Sequence, residues 1–396
     1  MTASHNSNFK RTRFTYMSYL LLGYFGILIV LLSALMPFVS DRLNLTYGQA
    51  GLHLTLGSLG AFLVGTYGDR VSKRFGNGRT VWVSAIVATL ALGLIPFATS
   101  MSMTLPIALI YGMGLGMMGQ VVSAAIADGH DEHRTKAITE SNIAAALGVS
   151  IGPLLVGTFV RVGAGMLASI IAIAFLLGSI AFTFRGVHFP MPLDHDDTPG
   201  NNQRPLPLLF WIFGVIIFLA VSIEWMTIFW TPDFLTDVVG YERSTAATLI
   251  SVQAIAIVLG RIAGVRLLQF MSDRMLLVLA FAWVLVFYPV YLFSPYPLLN
   301  VIGLFMLGLG IGNMFPLCYS GAMVAAGKYT GRAGARLSLF VNGAIILMPN
   351  LVGNLADQIT IRPAMSIAIV LCMVAIVITS MANRLREREA APQPLI

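Results

Sequence analysis

Two groups of charged residues in this chain carry chemistry. The segment Gly65 to Arg74, G-T-Y-G-D-R-V-S-K-R, sets one acid, Asp69, and three bases, Arg70, Lys73 and Arg74, between two long apolar runs. Charges in that position are tolerable where they reach water and lipid head groups at a membrane surface. The second is Glu224, in F-L-A-V-S-I-E-W-M-T. An ionised carboxylate deep in an apolar helix costs roughly 3 kcal/mol or more, so it must face a cavity or a partner. Such a group suits proton uptake and release; the alternative is a structural acid paired with a base near the outer rim.

Neutral polar residues recur along the same runs. Gly116, Gln120 and Ser123 share a helical face by spacing, as do Asn313 and Ser320 beside Gly312. Asn142, Asn342 and Gln253 add amides, and Tyr24, Tyr111, Trp225 and Tyr319 add aromatic surface. These groups either hydrogen-bond between helices or contact a polar solute; the aromatics are walls of a cavity or interface anchors. Gln120, Asn142, Trp225, Gln253, Asn313, Tyr319 and Asn342 are the cavity candidates. Glu140, next to Lys136, reads as a helix N-terminal acid, Asp357 as a solvated acid at the outer face, and His53 as a packed histidine. Arg261 either neutralises a bound anion or anchors a helix end. Cys318 and Cys372 lack metal-ligand spacing, and no HExxH or Ser/His/Asp set occurs, so no metal, cofactor or enzymatic chemistry is expected.

The elements that position these groups follow from composition. Of 396 residues, 57% are hydrophobic and 10% charged, against about 25% charged in soluble chains. Lipid is therefore the expected solvent, and the net charge of +7 reflects topology rather than nucleic-acid binding. Twelve helical spans can be placed: 16–38, 50–67, 80–98, 105–126, 137–159 and 165–184, then 206–230, 245–267, 276–293, 298–322, 336–356 and 363–382. Of the 24 Lys and Arg residues, only Arg42, Arg161, Arg243 and Arg362 fall on one side. The charge bias puts both termini in the cytoplasm.

The chain also repeats itself. Gly114-Leu115-Gly116 matches Gly308-Leu309-Gly310, 194 residues on, and Pro153 with Gly157 matches Pro349 with Gly353 at 196. Pro37 and Pro232 each close an odd-numbered span. Aligned at 195, Gly65 meets Gly260 and Asp69 meets Gly264, so the second copy has lost its acid. Two six-helix units are expected, 1–184 and 206–396, joined by a polar cytoplasmic connector, 185–205, with Asp194, Asp196 and Asp197.

Two parallel six-helix repeats and a long connector resemble the major facilitator superfamily of secondary transporters. Its signature loop between spans two and three, G-x-x-x-D-[RK]-x-G-R-[RK], is similar to Gly65, Asp69, Arg70, Lys73 and Arg74, with Ser72 where the family prefers glycine. The resemblance covers essentially the whole chain. It implies an all-α membrane protein of 12 transmembrane helices in two pseudo-symmetric six-helix bundles. A central cavity would be lined mainly by spans 1, 4, 7 and 10 and opened alternately to each side. It also implies that Asp69 latches the cytoplasmic side against nearby bases and the N-terminus of the eleventh helix. Spans one and seven hold no arginine, span four no base, and Thr139 stands where the antiporter motif has glycine; Met314–Pro316 is similar to the tenth span of sugar symporters. The function implied is proton-coupled symport of a small organic solute by a monomer in the cell membrane, with an exporter of drugs or metabolites as the alternative.

Overall fold

Long apolar segments with no water to bond their backbone must satisfy every N–H and C=O internally, and the helix does this within one segment. The computed structural model is accordingly helical throughout. It describes residues 9–65, 67–130, 133–190, 206–327 and 330–390, with the side chains of those residues except 69, 135, 330–332, 335 and 385–390. Among the described residues there is no strand.

The order is α1 (Arg13–Leu43), α2 (Tyr47–Gly65), α3 (Gly68–Phe75), α4 (Asn77–Leu94), α5 (Met101–Asp128), α6 (Arg134–Arg161) and α7 (Gly165–Thr183) in the first half. The second half holds α8 (Leu208–Asp237), α9 (Arg243–Leu267), α10 (Asp273–Phe293), α11 (Pro297–Ala326), α12 (Thr330–Ile359), α13 (Ile361–Met365) and α14 (Ile367–Ala390). Among the described residues, eleven segments are long and apolar enough to cross a membrane, the last running from α13 into α14. The remaining span is α2, 19 residues long. Its Gln49, His53, Thr55 and Ser58 dilute its apolarity because it packs against α5 and α12. His53 is buried between the Gln49 carbonyl (2.7 Å) and Thr104 Oγ1 (2.6 Å). The short α3 carries the charged segment Gly68–Phe75 between the second and third spans.

Packing repeats between the halves. In the first, α1 packs on α6, and α2 and α4 on α5; in the second, α8 packs on α12, and α9 and α10 on α11. The glycines of α5 and α11 fix the register. A Cβ on Gly112 would run into the Gly57 carbonyl, on Gly114 into that of Ser84, and on Gly116 into that of Ala61. The same atoms on Gly308, Gly310 and Gly312 would meet the carbonyls of Gln253, Ala280 and Ile257. Each pair is 196 residues apart, on three helices per half. The alignments at 194 and 195 are therefore corrected: Gly112 corresponds to Gly308, Gly65 to Arg261, and Asp69 to Val265. Small residues recur at several spacings, and only backbone-to-backbone contact selects one.

A second correction concerns helix ends. Pro37 and Pro232 lie inside α1 and α8 rather than closing them. Proline lacks an N–H and frees the carbonyl four residues earlier; for Pro232 that is Ile228, whose oxygen accepts from Ser33 Oγ of α1 at 3.2 Å. With this bond the helix continues to Asp237.

Gly112→Ala forces α2 and α5 apart and is expected to cost about 1–3 kcal/mol, read as a lower melting temperature of the purified protein. Gly178→Ala, at a site with nothing within 4 Å, should leave it unchanged; equal melting temperatures would remove the close-contact argument.

Candidate functional site

A cavity of about 420 Å3 lies between the halves, within the range of about 300–1,000 Å3 usual for small-molecule sites. Its walls come from α1 (Phe25, Ile29, Ser33), α2 (Gly57, Ser58), α5 (Tyr111, Gly116, Gln120, Ser123), α8 (Trp225, Phe229) and α12 (Asn342). Spans one, four and seven line it as the resemblance implies. Span ten does not contribute to this wall; α2 and α12 take that place, because they pack face to face across the halves. The polar groups are three hydroxyls of serine, one of tyrosine, two amides and an indole, and among the described residues no charged side chain lines the cavity.

Of the seven cavity candidates, Gln120, Trp225 and Asn342 meet on this wall. Gln120 Nε2 donates to the Gly65 carbonyl (3.2 Å), Asn342 Nδ2 to that of Ser338 (2.7 Å), and Trp225 stands 5.2 Å from the Phe229 ring. The other four are placed elsewhere. Asn313 Nδ2 binds the Gly260 carbonyl at 2.8 Å and ties α11 to α9. Gln253 is fully buried in α9 with neither amide atom bonded. Asn142 is exposed on α6, and Tyr319 is exposed on α11 beside Phe315.

Glu224 sits at mid-length in α8, one residue before Trp225, and is half-buried. Among the described residues its carboxylate receives no hydrogen bond or ion pair; the opposite charge acting on it is Arg261 of α9. Arg261 itself donates from Nε to the Gly312 carbonyl at 3.2 Å. Glu140 is held by Arg11 (2.7 and 2.8 Å) and by the Tyr19 hydroxyl (3.0 Å), which ties α1 to α6.

In the signature segment, Arg70 and Arg74 are exposed and lie over the Tyr67 and Phe75 rings at 5.8 and 5.6 Å. Lys73 is exposed, and Gly65 ends α2. The Asp69 side chain lies outside the described residues, as do connector residues 191–205 with Asp194, Asp196 and Asp197.

The opposite end of the bundle, distal to both chain termini, is where the halves join most firmly. The Asp357 carboxylate at the end of α12 accepts from Thr46 Oγ1 (2.7 Å) and from the backbone N–H groups of Tyr47 (2.8 Å) and Gly48 (2.9 Å) at the start of α2. It is exposed, as the sequence suggested, yet it caps a helix of the other half. Arg243 bridges to Asp41 and to the Pro37 carbonyl, and the Tyr47 hydroxyl donates to Asp237 at 2.8 Å. Arg161 reaches Thr245 at 2.6 Å, and Ser251 Oγ reaches the Ser150 carbonyl at 2.6 Å. Among the described residues α5 and α11 do not form an extensive contact, and the cavity lies on their side of the latch. The halves are thus closed at the distal end and parted towards the termini. Asp357, Arg243 and Asp233 were missed as a group, because nothing in the local sequence says that ends of α1, α2, α8, α9 and α12 converge. Asp233, beyond the expected end of span seven at residue 230, is a second acid inside α8 and is 5% exposed.

Comparison with known proteins places this geometry. The model of the Major Facilitator Superfamily matches residues 17–328 and 211–395. The chain is 26% identical over 353 residues to an uncharacterized transporter of Sinorhizobium fredii, covering 85% of this chain and 89% of the relative. It is 21% identical over 390 residues to the glucose/mannose transporter GlcP of Bacillus subtilis, covering 92% and 93%. Among solved structures, a bacterial homolog of the human lysosomal transporter Spinster, inward-facing and unoccupied, superposes with a TM-score of 0.77 at 13% identity, covering 98% of this chain and all of that one.

Asp357→Ala removes the acceptor for Thr46 and the first N–H groups of α2. With Ser244→Cys as a reporter, buried at the distal end of α9, labelling by an impermeant thiol reagent should rise about threefold or more, since charge-assisted hydrogen bonds contribute about 1.5–3 kcal/mol before discount for exposure. The native cysteines are buried. Unchanged labelling would take Asp357 out of the latch.

Proposed function

The chain belongs to the Major Facilitator Superfamily and is a multi-pass membrane transporter of small solutes, and from that premise we propose that it carries an uncharged, hydroxyl-rich organic solute in symport with protons. The observation that supports this most is the cavity wall. Amide and hydroxyl groups of Gln120, Asn342, Ser58 and Ser123 offer donors and acceptors, and the Trp225 and Phe229 rings offer apolar faces, with no charged side chain between them among the described residues. A solute with several hydroxyls and an apolar ring face satisfies both kinds of surface. The likeness to a hexose transporter supports the same class.

Glu224 is the proposed proton carrier. Its carboxylate is half-buried, makes no ion pair among the described residues and is adjacent to a cavity-lining residue, so a proton can join or leave it without breaking one. The moving bodies are residues 1–184 and 206–396, linked by 185–205, in a monomer of the cell membrane with both termini cytoplasmic. In the alternate arrangement, open at the distal face, Gly65, Asp69, Arg70, Lys73 and Arg74 form the latch on the cytoplasmic side. Neither a resident cofactor nor nucleic acid has a role in this reading.

Uptake of labelled hexoses and polyols into proteoliposomes tests the reading. An acidic exterior should drive accumulation, and Glu224→Gln should abolish that drive while solute exchange persists; intact pH-driven uptake in the variant would sink the proton assignment. Gln120→Leu and Asn342→Leu should each raise KM about tenfold, the equivalent of one hydrogen bond of about 1.4 kcal/mol. Accumulation only against outward flow would reverse the direction to export. Asp69→Asn should raise cysteine accessibility from the cytoplasmic side, and unchanged accessibility would exclude it from the latch.

A further inference from the structure

A second pocket, of about 520 Å3, opens at the distal end, and four carboxylates face it: Asp41, Asp233, Asp237 and Asp357. Three of them are engaged. Asp357 holds the start of α2, Asp41 is bridged by Arg243, and Asp237 accepts from Tyr47 and lies 4.0 Å from Arg243. Asp233 is different. It lies one helical turn before Asp237, is 5% exposed, and accepts from no other side chain among the described residues. Across the pocket the Ser40 hydroxyl is also buried with no partner.

The charges around Asp233 are of the wrong sign. Asp41 faces it from α1, Asp237 from its own helix, Asp357 from α12, and the Tyr47 hydroxyl from α2; among the described residues Arg243 of α9 is the one base on the wall. Arg362 on α13 does not line the pocket, and α11 has no charged residue. A buried carboxylate among like charges, with its own backbone N–H as its donor, is unfavourable unless a positive group joins it. We propose that this pocket is a monovalent-cation site, in which a proton or a sodium ion taken up from the distal side neutralises Asp233 as the halves close over it.

The donor set suits such an ion. Carboxylate oxygens of Asp233 and Asp237 and the Ser40 hydroxyl are hard oxygen ligands. No cluster of three His, Cys, Asp or Glu suited to a metal ion forms among the described residues, which argues against a tightly held divalent ion. A cation bound only in the closed arrangement stabilises that arrangement in proportion to its differential affinity. The inference rests on alternating access, but not on which solute is carried or on Glu224.

The test uses the full chain with Ser244→Cys, in the Glu224→Gln background that removes the proposed proton carrier, in right-side-out membrane vesicles. Labelling by an impermeant thiol reagent is followed with sodium present or replaced by an organic cation at fixed pH, then across a pH series without sodium. Rates are normalised to those of the unfolded protein at each pH. The effective cation should slow labelling about fivefold or more; response to sodium alone or to pH alone identifies which ion it is. Asp233→Asn should label slowly and respond to neither, and Asp233→Glu should respond with a shifted midpoint. Labelling indifferent to both ions in the Ser244→Cys protein overturns the proposal, as does an Asp233→Asn variant that still responds. If Asp233→Asn fails to reach the membrane, Asp233→Glu with an unshifted midpoint overturns it. Proton-driven uptake by the chain with Glu224 in place, while distal labelling ignores both ions, would leave the transport reading standing and remove only this site.

Discussion

The Asp357 carboxylate at the head of α2 is the contact on which the observed arrangement depends. The first N–H groups of a helix have no partner within it and carry the positive end of its dipole. Here two of them, on Tyr47 and Gly48, are satisfied by an acid from the other half of the molecule. With the distal ends of α2 and α12 held together, their middles are brought to the cavity wall, where Ser58 and Asn342 face the same space. The ends near the chain termini part as a consequence. One surface-exposed carboxylate thus joins the two halves on the side that is shut.

Close glycine contacts run both within each half and between the halves, and the seam between them adds polar side-chain bonds. Inside a half, glycines on α5 and α11 let helix backbones touch, at Gly57, Ser84 and Ala61 in one copy and at Gln253, Ala280 and Ile257 in the other. Such contact cannot slide without overlap, because interiors are close-packed. Between the halves, a Cβ on Gly51 would meet the Pro349 carbonyl, on Gly353 that of Tyr47 and on Gly157 that of Ser244, and these contacts are joined by hydrogen bonds from side chains: Ser33 to Ile228, Thr55 to Ile346, Ser251 to Ser150 and Arg243 to Asp41. Each such bond can be exchanged for water when the halves separate. The seam thus combines close packing of α2 on α12 and of α6 on α9 with polar joins that water can replace.

The Ser33 bond shows how the two levels meet. Pro232 leaves the Ile228 carbonyl without its helical donor, and in lipid an orphaned carbonyl is costly. The donor comes from α1. A local backbone defect is thereby repaired by the seam, and α8 runs on far enough to deliver Asp233 and Asp237 to the distal pocket. Nothing near Pro232 in the chain announces this repair, which is why the segment W-T-P-D reads as a helix end.

Apolar run length determined the number of spans and the helical class, because a bilayer leaves the backbone no alternative. The segment Gly65–Arg74 and the paired glycines and prolines determined the family and its internal repeat, since those residue types are demanded by surface charge and close backbone approach. Tertiary structure decided the rest. The register of 196 depends on which carbonyl each glycine touches, and sequence identities at 194 and 195 look as good. Polarity marked Gln120, Asn142, Gln253, Asn313 and Asn342 alike, but rotation about each helix axis, set by packing, brought Gln120 and Asn342 to the cavity and turned Asn313 into a tie between α9 and α11. Asp357 and Tyr47 are 310 positions apart in the chain, and no local rule connects residues so distant until the halves meet.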